Sequence, residues 1–261
     1  MQSKGDMQYQ HFIVKTIERI ACVSFDRVER HNAANRDTFY ELMHVMAAID
    51  ADDGVDIVIL TGNGPRAFCA GVDFDAFEIR HAGDAIDWTA DCQRVFSAVE
   101  RMRKPVVAAV NGLAFGFGAE IAMVCDVTLA ADSAVFGMLE IRHGLLPAVL
   151  VTRGRDMVGR KIISYLAMTG DQFSAAEAKE YGLVNKVVPA DRLMEEALAV
   201  ARRIQRNSPL GVRTVKRLLN QDGERHSSAV AGFLPPLLMS EDLVEARAAF
   251  REKRTPAFRG R

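Results

Sequence analysis

Short apolar runs separated by helical patterns are the feature that most constrains the fold of this 261-residue chain. Residues 55–60, 106–110 and 124–130 are short, mainly apolar and rich in β-branched side chains. Strands buried on both faces have this composition, because helices cover both sides of a parallel sheet. Helical patterns lie between the runs, so the sequence predicts an α/β fold with a mainly parallel sheet.

The predicted elements begin with a hairpin. Residues 13–25 favour strands, and Glu18 and Arg19 occupy the predicted turn. Asp37 is placed to cap a helix with one apolar stripe, and Gly54 closes that helix. The other predicted helices cover residues 85–101, 114–123, 162–168, 175–181 and 193–206.

The pattern becomes wholly helical after Asn207 and includes residues 241–253, with Pro235 and Pro236 interrupting it. We therefore divide the chain into a core, residues 1–206, and a helical C-terminal segment, residues 207–261. The segment has too little apolar periodicity for an independent domain. We expect it to pack on the core or on a neighbouring subunit.

Composition excludes several classes of partner. Lysine and arginine number 33 and aspartate and glutamate 34, which gives a net charge of −1 and no global attraction for nucleic acid or anionic lipid. No window is apolar enough to cross a membrane. The four cysteines lack metal or redox spacing, the six histidines lack metal spacing, and the first ten residues are polar. These observations predict a cytoplasmic protein with no metal.

Two glycine-punctuated turns, residues 67–73 and 111–120, each follow a predicted buried strand. Backbone N–H groups at such turns can bind an oxygen that becomes negative during a reaction, and two facing turns would form an oxyanion hole. The alternative for either turn is purely structural, because glycine also serves tight turns and close packing. The second turn does not have the spacing of a dinucleotide fingerprint.

Ordered motifs over nearly the whole chain resemble the crotonase, or enoyl-CoA hydratase/isomerase, superfamily. Besides the two turns they are RHNA (30–33), ILTG (59–62), FGMLE (136–140), LLP (145–147), TG (169–170), SAAEA (174–178), GLV (182–184), VVP (187–189) and EKRTP (252–256). The resemblance implies a crotonase-type ββα spiral with a helical C-terminal trimerisation segment, assembled as a homotrimer or homohexamer.

The resemblance also assigns roles to four residues. Val72 and Phe117 would donate backbone N–H groups to a thioester oxygen. Glu120 would act on the water and Glu140 would deliver a proton, since hydration needs one carboxylate and one carboxylic acid. Without the resemblance, Glu120 reads as a solvated residue in the first turn of a helix and Glu140 as a surface loop residue.

Five residues match positions that contact coenzyme A in relatives. Arg30 and Ala33 would lie at the nucleotide end, and Ala70 and Asp73 along the adenine and pantetheine path. Lys253 would reach the coenzyme of an adjacent subunit, although an exposed helix lysine is the plainer alternative. Coenzyme A enters as part of the substrate, so no separate cofactor is expected.

Because Glu120 and Glu140 match the two glutamates of the family's hydratases, the resemblance implies an enoyl-CoA hydratase, a hydro-lyase. The alternatives are another reaction of the superfamily, such as double-bond isomerisation, decarboxylation or carbon–carbon cleavage, and a non-catalytic thioester- or RNA-binding member. Two departures bear on substrate choice. Phe117 stands where most relatives have glycine, and residues 148–153 resemble the variants of branched-chain methylglutaconyl-type hydratases.

Overall fold

A six-stranded sheet with the order β1-β2-β3-β5-β7-β10 forms the centre of the protein. The computed structural model describes residues 9–73, 79–220, 231–232 and 235–259. The strands are β1 (Phe12–Ile17), β2 (Ile20–Phe25), β3 (Ile57–Gly62), β4 (Ala67–Cys69), β5 (Val106–Val110), β6 (Leu113–Phe115), β7 (Val127–Ala131), β8 (Val135–Gly137), β9 (Gln172–Ser174) and β10 (Lys186–Val188). All neighbours in the central sheet are parallel except β1 and β2, so the predicted α/β class is confirmed.

Helices cover the sheet and extend the chain beyond it. They are α1 (Arg36–Ala51), α2 (Ala82–Glu100), α3 (Phe117–Met123), α4 (Ala148–Thr152), α5 (Gly154–Val158), α6 (Arg160–Thr169), α7 (Ala175–Glu180), α8 (Leu193–Gln205), α9 (Pro209–Leu219) and a C-terminal helix (Glu241–Glu252). Short 3-10 segments span Val28–Arg30, Leu139–His143 and Ala190–Arg192. In the part of the chain that the structure describes, no helix is long and apolar enough to cross a membrane.

A second sheet, ordered β4-β6-β8-β9, gives the fold its spiral form. Strand β4 follows β3, β6 follows β5 and β8 follows β7, so the chain repeatedly leaves one sheet for the other before entering a helix. This is the ββα spiral that the resemblance implies, and the prediction is confirmed. The β3 and β5 side chains are buried throughout, which explains their apolar, β-branched sequences.

The opening hairpin is confirmed, and Glu18 and Arg19 both adopt positive φ angles at its turn, 50° and 66°. The predicted cap of α1 is wrong. Asn35 caps this helix by accepting from the Thr38 amide, while Asp37 lies inside the first turn. Gly54 does not close α1 either, because the helix ends at Ala51 and Asp52 takes the C-cap position.

Strand β6 occupies residues at which the sequence predicts a helix. The predicted helix over 114–123 begins only at Phe117, since Ala114 and Phe115 pair with β8. Gly116 separates the two elements with a φ of 49°, a backbone conformation that favours glycine. The short run of alternating residues before Gly116 therefore extends the second sheet, and tertiary pairing overrides the local helical pattern.

The C-terminal segment is helical where it is described, in α9 and the C-terminal helix. Part of the predicted segment, residues 221–230, 233–234 and 260–261, lies outside the described residues, as does most of the polar stretch at 1–10. The division at residue 206 and the trimerisation role of the segment stay predictions. The four cysteines are all buried as free thiols.

Candidate active site

A cavity of about 510 Å³ opens where the two glycine-punctuated turns meet. It brings together all four predicted catalytic residues: Val72, Phe117, Glu120 and Glu140. The wall also includes residues from α2, from the 3-10 segment Leu139–His143 and from the C-terminal helix. Residues from distant parts of the sequence thus surround one space.

The first turn leaves β4 through Gly71, whose φ is 107°. An isolated parallel bridge then pairs Ala34 with Val72. In that bridge the Ala34 amide donates to the Gly71 carbonyl and the Asp73 amide donates to the Ala34 carbonyl, both at 2.8 Å. The bridge uses the Gly71 carbonyl and the Asp73 amide, on either side of Val72, so the Val72 amide takes no part in it.

The second turn places Phe117 as the first residue of α3. Gly118 packs this helix directly against β4, since a Cβ at that position would stand 1.9 Å from the Cys69 carbonyl oxygen. Gly71 also lies near the Phe115 carbonyl oxygen, which would stand 3.1 Å from an added Cβ. Glycine at these positions brings the two turns into contact, which agrees with the structural interpretation, while the oxyanion hole stays a prediction.

The amides of Val72 and Phe117 donate no hydrogen bond to any group of the described residues. First-turn helix amides have no partner within the helix, and a ligand oxygen can satisfy them. Both residues line the cavity. That the two amides bind one substrate oxygen, as the resemblance implies, stays a prediction.

Glu120 points from the first turn of α3 into the cavity and is only 4% exposed. Its Oε1 atom accepts hydrogen bonds from the amides of Val149 at 2.6 Å and Leu150 at 3.2 Å, at the start of α4. Burial raises the pKa of the Glu120 carboxyl well above its ordinary value, and Glu140 raises it further. The two amides and Arg153 offset part of this rise. The solvated alternative for Glu120 is therefore wrong.

Glu140 lies in the 3-10 segment Leu139–His143, across the cavity wall from Gly116. Its carboxyl group contacts Gly116 so closely that an added Cβ would stand 3.1 Å from Oε1. Its Oε2 atom is buried and, among the described residues, meets no hydrogen-bond partner. Burial raises the pKa of Glu140 to about 7. The surface-loop alternative is wrong as well.

The two carboxyl groups titrate as a pair, because burial and mutual repulsion disfavour two negative charges in one cavity. Amide hydrogen bonds to Glu120 stabilise its ionised form. Glu140 has no such donors on Oε2 among the described residues. Near neutral pH the pair can therefore hold one proton, which the two carboxyl groups share.

An aromatic wall closes the apolar end of the cavity. The Phe117 ring lies 4.8 Å from the Phe39 ring and 5.4 Å from the Phe96 ring, between centroids. Trp88 packs on Phe39 at 5.5 Å. The sequence prediction included Phe117 but missed Trp88, Cys92 and Phe96, which also line the cavity. Their spacing of four residues along α2 is the signal that could have placed them on one face.

The predicted coenzyme-binding residues fall into two groups. Arg30, Ala33, Ala70 and Asp73 line the cavity. Lys253 does not line it: this residue is exposed and ends the C-terminal helix with a φ of 54°. Its predicted contact with a neighbouring subunit stays a prediction.

The C-terminal helix nonetheless approaches the site of its own chain. Arg247, Phe250 and Arg251 of this helix line the cavity, and sequence reasoning missed all three. His31 and His143 line it too, and no catalytic role was assigned to either from sequence. Across the described ranges, no group of three or more His, Cys, Asp or Glu side chains is arranged to hold a metal ion.

The spiral fold and a cavity that holds two carboxyl groups with raised pKa values define a class of α/β protein with groups suited to acid–base chemistry. A family model described as enoyl-CoA hydratase/isomerase matches residues 15–261. The chain belongs to the enoyl-CoA hydratase/isomerase family, and the predicted family is confirmed.

Relatives and solved structures match over nearly the full chain. A crotonyl-CoA hydratase of Syntrophomonas wolfei is 37% identical over 257 residues, which cover 97% of this chain and 99% of the relative. A short-chain-enoyl-CoA hydratase of Clostridium acetobutylicum is 34% identical, with 95% and 97% covered. The crystal structure of an enoyl-CoA hydratase/isomerase from Pseudoalteromonas atlantica has a TM-score of 0.86 at 30% identity, with 96% and 100% covered.

Proposed function

We propose that the protein is an enoyl-CoA hydratase, which adds water reversibly to a 2-enoyl-CoA thioester and gives a 3-hydroxyacyl-CoA. The observation that carries the proposal is the meeting of buried Glu120 and half-buried Glu140, both with raised pKa values, in one cavity with Val72 and Phe117. The hydratase names of the relatives support it.

The geometry supports a division of labour between backbone and side chains. The Val72 and Phe117 amides bind the thioester oxygen and stabilise the negative charge that it gains when the double bond is attacked. Glu120, ionised, takes a proton from water as the water oxygen bonds to C3. Glu140, protonated, gives its proton to C2. The net change is addition of hydroxyl to C3 and hydrogen to C2, without a separate cofactor.

We propose that the coenzyme binds along the cavity wall. Arg30, Ala33, Ala70 and Asp73 are the predicted contacts, and their place on the cavity wall supports this role. Arg247 and Arg251 add positive charge to the same wall and suit the phosphate groups of the coenzyme.

Single amide substitutions test the paired-carboxyl mechanism. Glu120→Gln and Glu140→Gln each remove one proton-transfer group while keeping the side-chain shape. We expect each to lower kcat for crotonyl-CoA by roughly 10²- to 10⁴-fold. Loss of the enoyl thioester absorbance measures the reaction, and calorimetry with coenzyme A checks that binding persists. Full activity in both variants would refute the proposal.

Other reactions of the family remain the alternative to hydration. A shift of the double bond requires one group to move a proton between two carbons, whereas water addition makes use of two acid–base groups. The retained Glu120 and Glu140 pair favours hydration. Supplying a 3-enoyl-CoA to the wild-type protein distinguishes the two, since an isomerase forms the 2-enoyl product without prior hydration.

A homotrimer or homohexamer in the cytoplasm completes the proposal. Helix α9 exposes apolar side chains that a subunit interface would cover, with Leu210 at 76% and Leu219 at 79% exposed. Four buried free thiols suit a reducing compartment. Light scattering on the purified protein measures the assembly, and a monomeric mass would overturn the trimer.

A further inference from the structure

A buried ion pair joins the end of α2 to the end of α4. Arg153 follows α4, and its Nη2 donates to Oε2 of Glu100, the last residue of α2, at 3.0 Å. The Arg153 Nε lies 2.5 Å from Oε1 of the same carboxylate. The two side chains are only 4% and 9% exposed. Two charges removed from water cost free energy, so a buried pair of this kind is a weak source of stability.

Helix α4 connects this ion pair to the catalytic carboxyl group. The Arg153 amide donates to the Val149 carbonyl at 2.8 Å, and the Val149 amide donates to Glu120 Oε1 at 2.6 Å. The helix spans only five residues, too few to be stable without contacts at its ends. Its first residues thus hold Glu120, while the residue after its last turn is held by Glu100.

We propose that Arg153 is a positioning residue for Glu120: its ion pair with Glu100 fixes α4, and α4 in turn holds the Glu120 carboxylate in the cavity. This inference rests on the proposed function, because it assigns Glu120 a catalytic task. The ion pair lies behind the cavity wall, and neither Arg153 nor Glu100 lines the cavity. Arg153 therefore acts through Glu120.

Besides fixing α4, Arg153 lowers the pKa of Glu120 through its positive charge. The groups that influence Glu120 are Glu140 from the 3-10 segment and Arg153 after α4, and Cys92 on α2 senses the Glu120 charge. Burial and Glu140 raise the Glu120 pKa, and Arg153 lowers it. Loss of the positive charge therefore leaves more of Glu120 protonated near neutral pH, where an ionised base is needed.

The test uses two variants that are expected to shift the pH dependence of activity in opposite directions. Arg153→Met combined with Glu100→Leu removes both charges and leaves neither unpaired, which favours folding. In this double variant the acid limb of the pH profile of kcat/KM for crotonyl-CoA moves to higher pH. We also expect kcat to fall roughly 10- to 100-fold, as it does in other proteins when a group that orients a functional side chain is removed. Glu100→Gln leaves the Arg153 charge uncompensated, so the acid limb moves to lower pH.

Two controls separate this role from a merely structural one. Arg155→Met removes an exposed arginine two residues away and leaves kcat and the acid limb unchanged. His143 also lines the cavity, and burial lowers its pKa, but it is the same in every variant and cannot cause a difference between them. Circular dichroism confirms that each variant is folded.

The outcomes distinguish this inference from the proposed function. Absence of hydration by the wild-type protein overturns the function. In that case an infrared titration tests the inference. The Glu120 carboxyl band is identified by its loss in Glu120→Gln. If Arg153 acts as proposed, the pH at which this band titrates is higher in the double variant than in the wild type. An active wild type together with acid limbs that stay in place, or move in the same direction in both variants, overturns the inference alone.

Discussion

Gly118 lies against the carbonyl oxygen of Cys69, so close that a Cβ on Gly118 would stand 1.9 Å from that oxygen. This contact packs α3 on β4 and sets the distance between the two turns that carry Val72 and Phe117. The position of the two open amides thus depends on the absence of one side chain.

Gly118→Ala is expected to separate the two turns. The added methyl group forces α3 away from β4, which costs about 1 to 3 kcal/mol of stability as overpacking does. Moving the Phe117 amide also lowers kcat for crotonyl-CoA, by up to about 10²-fold for loss of one donor. Gly211→Ala is the control, because its Cβ meets only Ser208 at 3.6 Å or more. Equal activity of the two variants would contradict the prediction.

Glu140→Gln is expected to stabilise the fold at alkaline pH while it removes activity. Burial raises the Glu140 pKa to about 7 in the folded protein, so the folded state binds more protons than the unfolded chain between about pH 4.5 and 7. The free energy of unfolding therefore falls as the pH rises through this window and stays lower above it. At about 1.4 kcal/mol per pKa unit, the penalty at pH 8 is on the order of 3 kcal/mol.

Urea unfolding of wild type and Glu140→Gln at pH 5 and pH 8 measures this effect. The variant gains stability relative to wild type at pH 8, and the gain shrinks at pH 5. Asp171→Asn, a change at an exposed carboxylate paired with Arg142, serves as the control. A stability difference independent of pH would show that the buried carboxyl group is not responsible.

Phe117→Ala is expected to lengthen the accepted acyl chain at a cost in stability. The Phe117 ring is 4% exposed, packs on Phe39 and Phe96 and lines the cavity, so its removal leaves a space beside the substrate. Core Phe→Ala changes cost about 3 to 5 kcal/mol. The ratio of kcat/KM for long and short enoyl-CoA substrates measures the shift in preference.

Phe39→Leu provides the comparison for that experiment. It disturbs the same aromatic cluster, but Phe39 does not line the cavity. The variant loses stability with little change in chain-length preference. A shift of preference in both variants would attribute it to loosened packing rather than to the cavity wall.

Arg251→Ala is expected to weaken coenzyme A binding within a single chain. Arg251 lines the cavity, and loss of a charge-assisted contact to phosphate lowers affinity by roughly 1.5 to 3 kcal/mol. Lys253→Ala lowers the affinity for coenzyme A only if Lys253 reaches the cavity of a neighbouring subunit. Isothermal calorimetry of both variants, with the oligomer mass measured in parallel, separates the two residues. Unchanged affinity in Arg251→Ala would assign the phosphates to other side chains.

Local pattern was sufficient for the elements that local forces decide. The strands at β3 and β5 and the turn at Glu18 and Arg19 were predicted because apolar runs and turn residues act over a few positions. Strand β6 was missed because both of its pairing partners, β4 and β8, lie more than twenty residues away in the chain. The Asn35 cap was missed because Asn35 and Asp37, two positions apart, are both residue types that cap helices, and the backbone conformation decides which one does.

The residues of the candidate site also fall into those that sequence motifs indicated and those that only the structure shows. Resemblance in ordered motifs indicated Glu120, Glu140, Val72 and Phe117, and they meet in one cavity. The aromatic wall from α2 and the arginines of the C-terminal helix carry no motif, so sequence reasoning did not find them. The contact between Glu120 and the α4 amides joins residues 29 and 30 positions apart, which only folding brings together.

The amino-acid sequence by itself determined the α/β class, the family and the identity of the two acidic residues, because periodicity and motif order are written along the chain. The tertiary structure decided the electrostatic state of those acids and the shape of the cavity. Burial raises the pKa values of Glu120 and Glu140, and the α4 amides and a distant arginine lower that of Glu120; each of these effects depends on distances through space that the linear sequence does not contain.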